Sequence, residues 1–182
     1  MTQLGAGDVA FLAPATVRAY GSRCGSSPNR ARIIPSSSAR KMFSLKLLGG
    51  AVAYGPQGPI GGRLAQRRRL ALLAVLALAG RKPVSRDRLL ALFWPEADAE
   101  RARHSLADSV YQIRRELSEK AVVSVGEDLL LNAELIASDV AEFEGAIESG
   151  ELQAAVEIYA GPLLDGFHVS DAPEFERWVD GE

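Results

Sequence analysis

The sequence predicts an α+β fold in which two strands, three helices and a β-hairpin precede a short all-α segment. Three observations support this prediction. Apolar and polar residues alternate after Met42, and two short apolar strands flank a turn between residues 122 and 131. Three helical segments lie between these strands, and the longest has an apolar stripe along one face. Beyond residue 132 the chain is acidic, and glycines separate short amphipathic helices.

Charge is unevenly distributed along the 182 residues, although the formal net charge is only −2. Residues 1–42 carry +5, residues 43–120 carry +7 and residues 121–182 carry −14. A basic middle followed by an acidic end indicates two modules with different partners, the first suited to a polyanion. Solvated surface charge is the alternative interpretation of this asymmetry.

Several classes of protein are disfavoured by what the sequence contains. Cys24 is the single cysteine, which excludes an internal disulfide and fits a reducing cytosol. His104 and His168 lie far apart in sequence and form no zinc-binding pattern with cysteines. The apolar run 70–79 is too short to span a membrane. The glycine-rich stretch 55–63 matches no nucleotide-binding motif. We therefore expect a soluble, cytoplasmic protein without catalysis, metal or cofactor.

The first 41 residues show no sustained hydrophobic period and are rich in Ser, Ala, Arg and Gly. Such a composition buries too little apolar surface to offset the entropy of ordering, so residues 1–41 are predicted to be a disordered tail. A basic arm that contacts DNA phosphates is the functional alternative. The patterned sequence begins at Met42.

From Met42 the elements follow a recognisable order. Strands are predicted at 43–47 and 51–55, and a β-hairpin at 122–125 and 129–131. Helices are predicted at about 63–79, 85–94 and 99–118. This is the order of a winged helix-turn-helix, whose third helix enters the major groove of DNA beside the hairpin, or wing.

The third predicted helix carries the candidate functional residues. Its apolar residues fall within about 40° of Leu106 at 100° per residue; they are Ala102, Leu106, Val110, Ile113 and Leu117. The remaining faces hold the candidate DNA-binding residues, which are Arg101, Arg103, His104, Ser105, Asp108, Tyr111, Gln112, Arg114 and Arg115. Arginine matches guanine or phosphate, and glutamine can pair with adenine. An ordinary solvated helix face is the alternative.

Two of these residues have competing interpretations. Asp108 opposes DNA phosphates, and it either accepts a hydrogen bond from a cytosine amino group or pairs with Arg101, His104 or Arg115. Arg114 either contacts DNA or packs its stem on the first helix.

The acidic end is predicted to be helical at about 139–149 and 151–160, and again from about residue 172. Two short amphipathic helices joined at Gly150 are typical of a tetratricopeptide-like hairpin. The predicted fold class is thus an α+β winged helix-turn-helix followed by a short all-α, tetratricopeptide-like segment.

Residues 67–117 resemble the OmpR-type winged helix of the antibiotic-regulatory-protein (SARP-type) transcriptional activators. The resemblance rests on the Ala/Leu helix closed by Gly80, on the run from Val84 to Trp94, and on the stretch from Leu106 to Leu117. Downstream, SDVAEFEGAI, GELQAAVEIYAGPLLDGF and EFERWV resemble the opening of the bacterial transcriptional activator domain, a helical module that normally continues much further. The resemblance implies a regulator that binds double-stranded DNA through helix 99–118 beside promoters and contacts RNA polymerase.

We therefore predict a tail at 1–41, a winged-helix DNA-binding domain at 43–132 and an incomplete helical module at 133–182. The predicted function is sequence-specific transcription regulation, as an activator. The alternative is a truncated interaction protein that does not bind DNA and uses its acidic helices to bind a partner. Asp108 and an acidic wing tip at Glu127 and Asp128 favour this alternative.

Overall fold

The structure is a computed structural model that describes residues 42–182. The helices are α1 (Arg67–Leu78), α2 (Arg86–Phe93), α3 (Ala99–Glu116), α4 (Asp139–Glu148), α5 (Leu152–Ile158) and α6 (Pro173–Gly181). The strands are β1 (Phe43–Lys46), β2 (Val52–Gly55), β3 (Gly58–Pro59), β4 (Val84–Ser85), β5 (Val122–Val125), β6 (Asp128–Leu131) and β7 (Ile136–Ser138). The predicted tail, residues 1–41, lies outside the described part of the chain.

A four-stranded sheet opens the described chain, with strand order β3-β2-β1-β7. β1 pairs antiparallel with β2 and parallel with β7, so that Phe43 lies opposite Ile136. The alternation seen in the sequence places Phe43 and Leu45 in the core and leaves Lys46 exposed. The predicted strands β1 and β2 are confirmed. β7 lies within the segment 133–182, which was predicted to be all-α, just before the first predicted helix.

Helices α1, α2 and α3 form the helix-turn-helix core, close to their predicted bounds. The Ser85 side chain accepts a hydrogen bond from the Arg88 backbone N–H and so caps α2. Asp98 caps α3 in the same way through the Arg101 N–H. α1 begins four residues later than predicted because residues 62–66 form turns, from which Leu64 inserts fully into the core.

The wing is a three-stranded sheet of order β4-β6-β5. The predicted hairpin is confirmed, with a two-residue turn at Gly126 and Glu127. Gly126 has a φ of +60°, a conformation that favours glycine because a side chain would be strained there. β4 adds Val84 to the sheet opposite Leu129, which ties the wing to the start of α2.

The acidic end of the chain is packed on the rest of the described protein. α4 and α5 form the predicted helix pair, whereas α6 packs on α2 through the Phe175 and Phe93 rings, whose centroids lie 5.2 Å apart. The buried Asp139 carboxylate accepts hydrogen bonds from the backbone N–H groups of Leu47, Leu48 and Val140. Residues from both predicted modules consequently share one hydrophobic core.

None of the helices between residues 42 and 182 combines the length and the apolar character that crossing a membrane requires. The same part of the chain contains no group of three or more His, Cys, Asp or Glu side chains arranged to hold a metal ion.

Candidate nucleic-acid interface

Helix α3 buries one face and presents the other to solvent, as its sequence predicts. Leu106 and Ile113 at the centre of the apolar stripe are almost completely buried. Six of the nine candidate DNA-binding residues are exposed, namely Arg101, Arg103, His104, Asp108, Tyr111 and Arg115. Tyr111 has 59% of its surface exposed, which is high for an aromatic residue. These six residues form a polar, mainly cationic surface along the helix.

Asp108 is paired with a residue that the sequence analysis did not consider. Its Oδ2 lies 3.0 Å from Nη2 of Arg69 in α1, and its Oδ1 accepts a hydrogen bond from Nε2 of Gln112. The Arg69 side chain is only 10% exposed and also donates to the backbone carbonyl of Arg63. The expectation that Asp108 pairs with Arg101, His104 or Arg115 is wrong, since within residues 42–182 its ion pair is with Arg69. The negative charge in the middle of the exposed face is therefore balanced.

Gln112 is buried, although the sequence placed it among the groove-facing residues. Its amide lies between Asp108 and Arg63, with Arg63 Nη1 3.4 Å from its Oε1. The amide is thus directed at Asp108 and at the turn before α1, and it is buried away from solvent. Ser105 is half-buried, and its backbone carbonyl accepts a hydrogen bond from the Ser109 hydroxyl.

Arg114 joins α3 to the wing. Its Nε donates to the backbone carbonyl of Val122 at 2.9 Å, and its Nη2 lies 3.2 Å from the Ser124 hydroxyl. The Arg114 side chain thus packs towards β5. The interpretation that it packs on the first helix is wrong. Arg86, the first residue of α2, reaches the same Ser124 hydroxyl at 3.3 Å.

A groove of about 560 Å³ lies beside α3, between the start of α2 and the loop that follows α3. Its lining residues are Arg86, Ala107, Val110, Tyr111, Arg114, Arg115, Ser118 and Glu119. Three arginines face one glutamate in this groove, and within residues 42–182 none of the three forms an ion pair with a carboxylate. The positive charge of the groove is therefore available to an anionic ligand.

Sequence reasoning missed Arg86 and Ser124 because neither lies on α3. Arg86 is one of many arginines in the chain, and it reaches the groove only because β4 places the start of α2 beside the wing. Ser124 alternates with Val123 and Val125 along β5, a pattern that was available in the sequence. The alternation alone, however, does not indicate which side of β5 faces α3.

Comparison with known proteins identifies a similar fold. No family model and no curated protein matches the chain. A solved structure of EmbR from Mycobacterium tuberculosis, in complex with a low-affinity phosphopeptide, is similar with a TM-score of 0.60 and 21% sequence identity. The match covers 78% of this chain but 41% of that EmbR chain, so this chain spans less than half of its length. At this identity the likeness establishes a shared fold.

Proposed function

We propose that the chain is a sequence-specific, DNA-binding transcription regulator that acts as an activator near promoters. In this proposal α3 enters the major groove and the β5–β6 wing lies beside it, as in other winged helices. The observation that supports it best is the groove beside α3, where Arg86, Arg114 and Arg115 face Glu119. The fold shared with EmbR is consistent with a regulator of the SARP type.

The side chains of α3 divide into two roles under this proposal. Tyr111 and Arg115 line the groove, while Arg101, Arg103 and His104 extend the exposed surface towards the start of the helix. These five residues contact phosphates and base edges. Three of the remaining candidates set the position of the helix, because their side chains or backbone already bind within the protein; they are Ser105, Asp108 and Gln112. Arg114 ties α3 to β5 and also lines the groove.

The proposal also includes partners and organisation implied by the sequence resemblance. The described residues 43–132 act as an OmpR-type DNA-binding unit, and the helices of 133–182 form the opening of a tetratricopeptide-like module. Contact with RNA polymerase beside the promoter follows from the same resemblance. We propose no catalytic role.

A gel-shift experiment with genomic fragments, repeated across salt concentrations, tests DNA binding. Arg115→Ala removes a charge from the face opposite Leu106 without creating a cavity. If Arg115 contacts a phosphate, the slope of log affinity against log salt concentration should fall by about one. This change should be the same for all DNA sequences. If it reads guanine, about 1–3 kcal/mol should be lost at one base position. Arg81→Ala is the matched control, since Arg81 is exposed and lies outside the groove. The Arg81→Ala variant should bind DNA as the parent does.

The second candidate function is a protein-interaction module, and one observation favours it. Four large apolar side chains are exposed around α4 and α5, and they are Ile147, Leu152, Val156 and Tyr159. Acidic residues flank them, including Glu148, Glu151 and Glu157. Exposed apolar surface of this kind is typical of binding surfaces. If the intact chain shifts no DNA fragment at low salt, this interaction function replaces the DNA-binding one.

A further inference from the structure

Ser124 lies at the centre of a cluster of hydrogen-bond donors. Its hydroxyl is 3.3 Å from Nη2 of Arg86 and 3.2 Å from Nη2 of Arg114. A hydroxyl has two acceptor lone pairs and one donor proton. The two guanidinium groups use both lone pairs, and the O–H group is left to donate. Within residues 42–182 no protein group accepts a hydrogen bond from this hydroxyl.

The charges around Ser124 are unbalanced. Two guanidinium groups that share one neutral hydroxyl repel each other. Arg86 and Arg114 also line the groove beside α3, where Arg115 adds a third positive charge. Glu119 is the one carboxylate that lines the groove, and it forms no ion pair with any of the three arginines. An anion placed against Arg86, Arg114 and Ser124 relieves this repulsion and accepts the free hydroxyl proton.

The geometry points to a binding site for one phosphate group of the DNA backbone, formed by Arg86, Arg114 and Ser124. This inference rests on the proposed DNA-binding function and assigns to it a contact outside the exposed face of α3. Arginine forks match the oxygens of a phosphate, and a neutral hydroxyl donor complements them. The three residues come from α2, α3 and β5, so a phosphate bound there fixes the wing relative to the recognition helix.

The chemistry excludes two other uses of this cluster. A cation is repelled by the three arginines, and an apolar ligand leaves the guanidinium groups desolvated without partners. Free inorganic phosphate offers the same oxygens as a phosphodiester, so the experiment has to separate these two sources.

The first test compares Arg86→Gln with Arg88→Gln in gel shifts across salt concentrations. Both residues lie on α2, but Arg88 is outside the groove. For Arg86→Gln we expect the slope of log affinity against log salt to fall by about 0.9, the value for one phosphate, equally for all sequences. Arg88→Gln should keep the parent slope. Thermal melting of both variants confirms that they fold.

A second variant keeps the inference testable if the loss of Arg86 disturbs the wing. Ser124→Asp places a carboxylate between the two guanidinium groups, which should stabilise the wing against α3 and occupy the phosphate site. DNA affinity should then fall while the melting temperature is kept or raised. Val125→Asp is the control, because it adds the same charge to the same strand on the opposite face. It should reduce affinity less than Ser124→Asp does.

NMR titration of the intact chain separates the two phosphate sources. A DNA duplex should saturate the shift of the Ser124 amide, whereas inorganic phosphate at equal ionic strength should shift it weakly without saturation. Saturation by inorganic phosphate alone overturns the assignment to DNA. If Arg86→Gln keeps the parent slope while Arg115→Ala weakens binding, this site is wrong and the proposed function stands. If the parent binds no DNA, both are wrong.

Discussion

Loss of the Asp108 carboxylate should loosen α3 from α1. Asp108→Ala removes the ion pair of Arg69, whose side chain is 10% exposed, whereas Asp108 itself is 47% exposed. Exposed pairs contribute about 0–1 kcal/mol, and breaking a fully buried pair costs about 3–5 kcal/mol. Because this pair is buried on one side only, we expect a loss of about 1–2 kcal/mol. That corresponds to a melting temperature lower by about 3–8 °C for a chain of this size.

A double-mutant cycle isolates the pair from other effects of the substitution. Arg69→Met keeps most of the buried stem and removes the charge, and the double variant Asp108→Ala with Arg69→Met completes the cycle. The coupling energy, measured by thermal and urea unfolding, should be at least about 0.5 kcal/mol. Glu116→Ala, at an exposed acid on the same helix, should change stability by less than about 0.5 kcal/mol. If the changes in unfolding free energy of the two single variants add up to that of the double variant, the ion pair does not hold α3 on α1 and this explanation is wrong.

The same pair predicts an effect on DNA binding. Asp108→Asn removes the charge that balances Arg69, so the net charge of the exposed face becomes more positive. Non-specific affinity should rise, and its salt dependence should steepen in gel shifts. An unchanged affinity would mean that DNA does not approach this part of α3.

Three further substitutions probe the fold. Leu106→Ala should cost about 2–5 kcal/mol in urea unfolding, because Leu106 is almost completely buried and its loss leaves a cavity; a cost below about 1 kcal/mol would contradict its place in the core. Asp139→Ala leaves the backbone N–H groups of Leu47 and its neighbours without an acceptor and should cost at least about 2 kcal/mol, which thermal melting measures. Burial raises the pKa of Glu176, but the Val169 N–H and the His168 side chain together hold that pKa below its ordinary value of 4.5. The ionised Glu176 carboxylate therefore stabilises the folded state fully above about pH 4.5. This stabilisation is lost as the pH falls through the lower pKa of the folded state. Glu176→Gln should accordingly reduce the acid sensitivity of the melting temperature, and an unchanged acid limb would contradict this.

The sequence predicted the helices and the longer strands well, because each carries its own hydrophobic period. The stripe from Ala102 to Leu117 placed the core side of α3 correctly. The short strands β3, β4 and β7 were not predicted, since two or three residues show no hydrophobic period. Such strands are defined by pairing with other strands. β7, for example, is defined by its pairing with β1.

The flanks of α3 explain why the site was predicted only in part. The hydrophobic period of α3 identifies the one face that packs on the core. It does not show that other parts of the protein also contact the two flanks of the helix. At 100° per residue, Arg114 lies about 80° from Leu106 on one side and Gln112 about 120° on the other. The wing covers the first flank and the turn before α1 covers the second, so both side chains bind within the protein. Arg115, about 180° from Leu106, remains exposed as predicted.

The parallel pairing of β1 with β7 has a consequence for how the chain reaches its fold. Leu47 and Asp139, which close this junction, are 92 residues apart, so the contact requires a long loop to close and forms late. During synthesis β1 has an open edge until the chain beyond Asp139 has left the ribosome. An open strand edge is a template for pairing with other chains. The segment after the wing therefore protects the nascent protein from aggregation, and cutting the chain between the wing and β7 exposes that edge permanently.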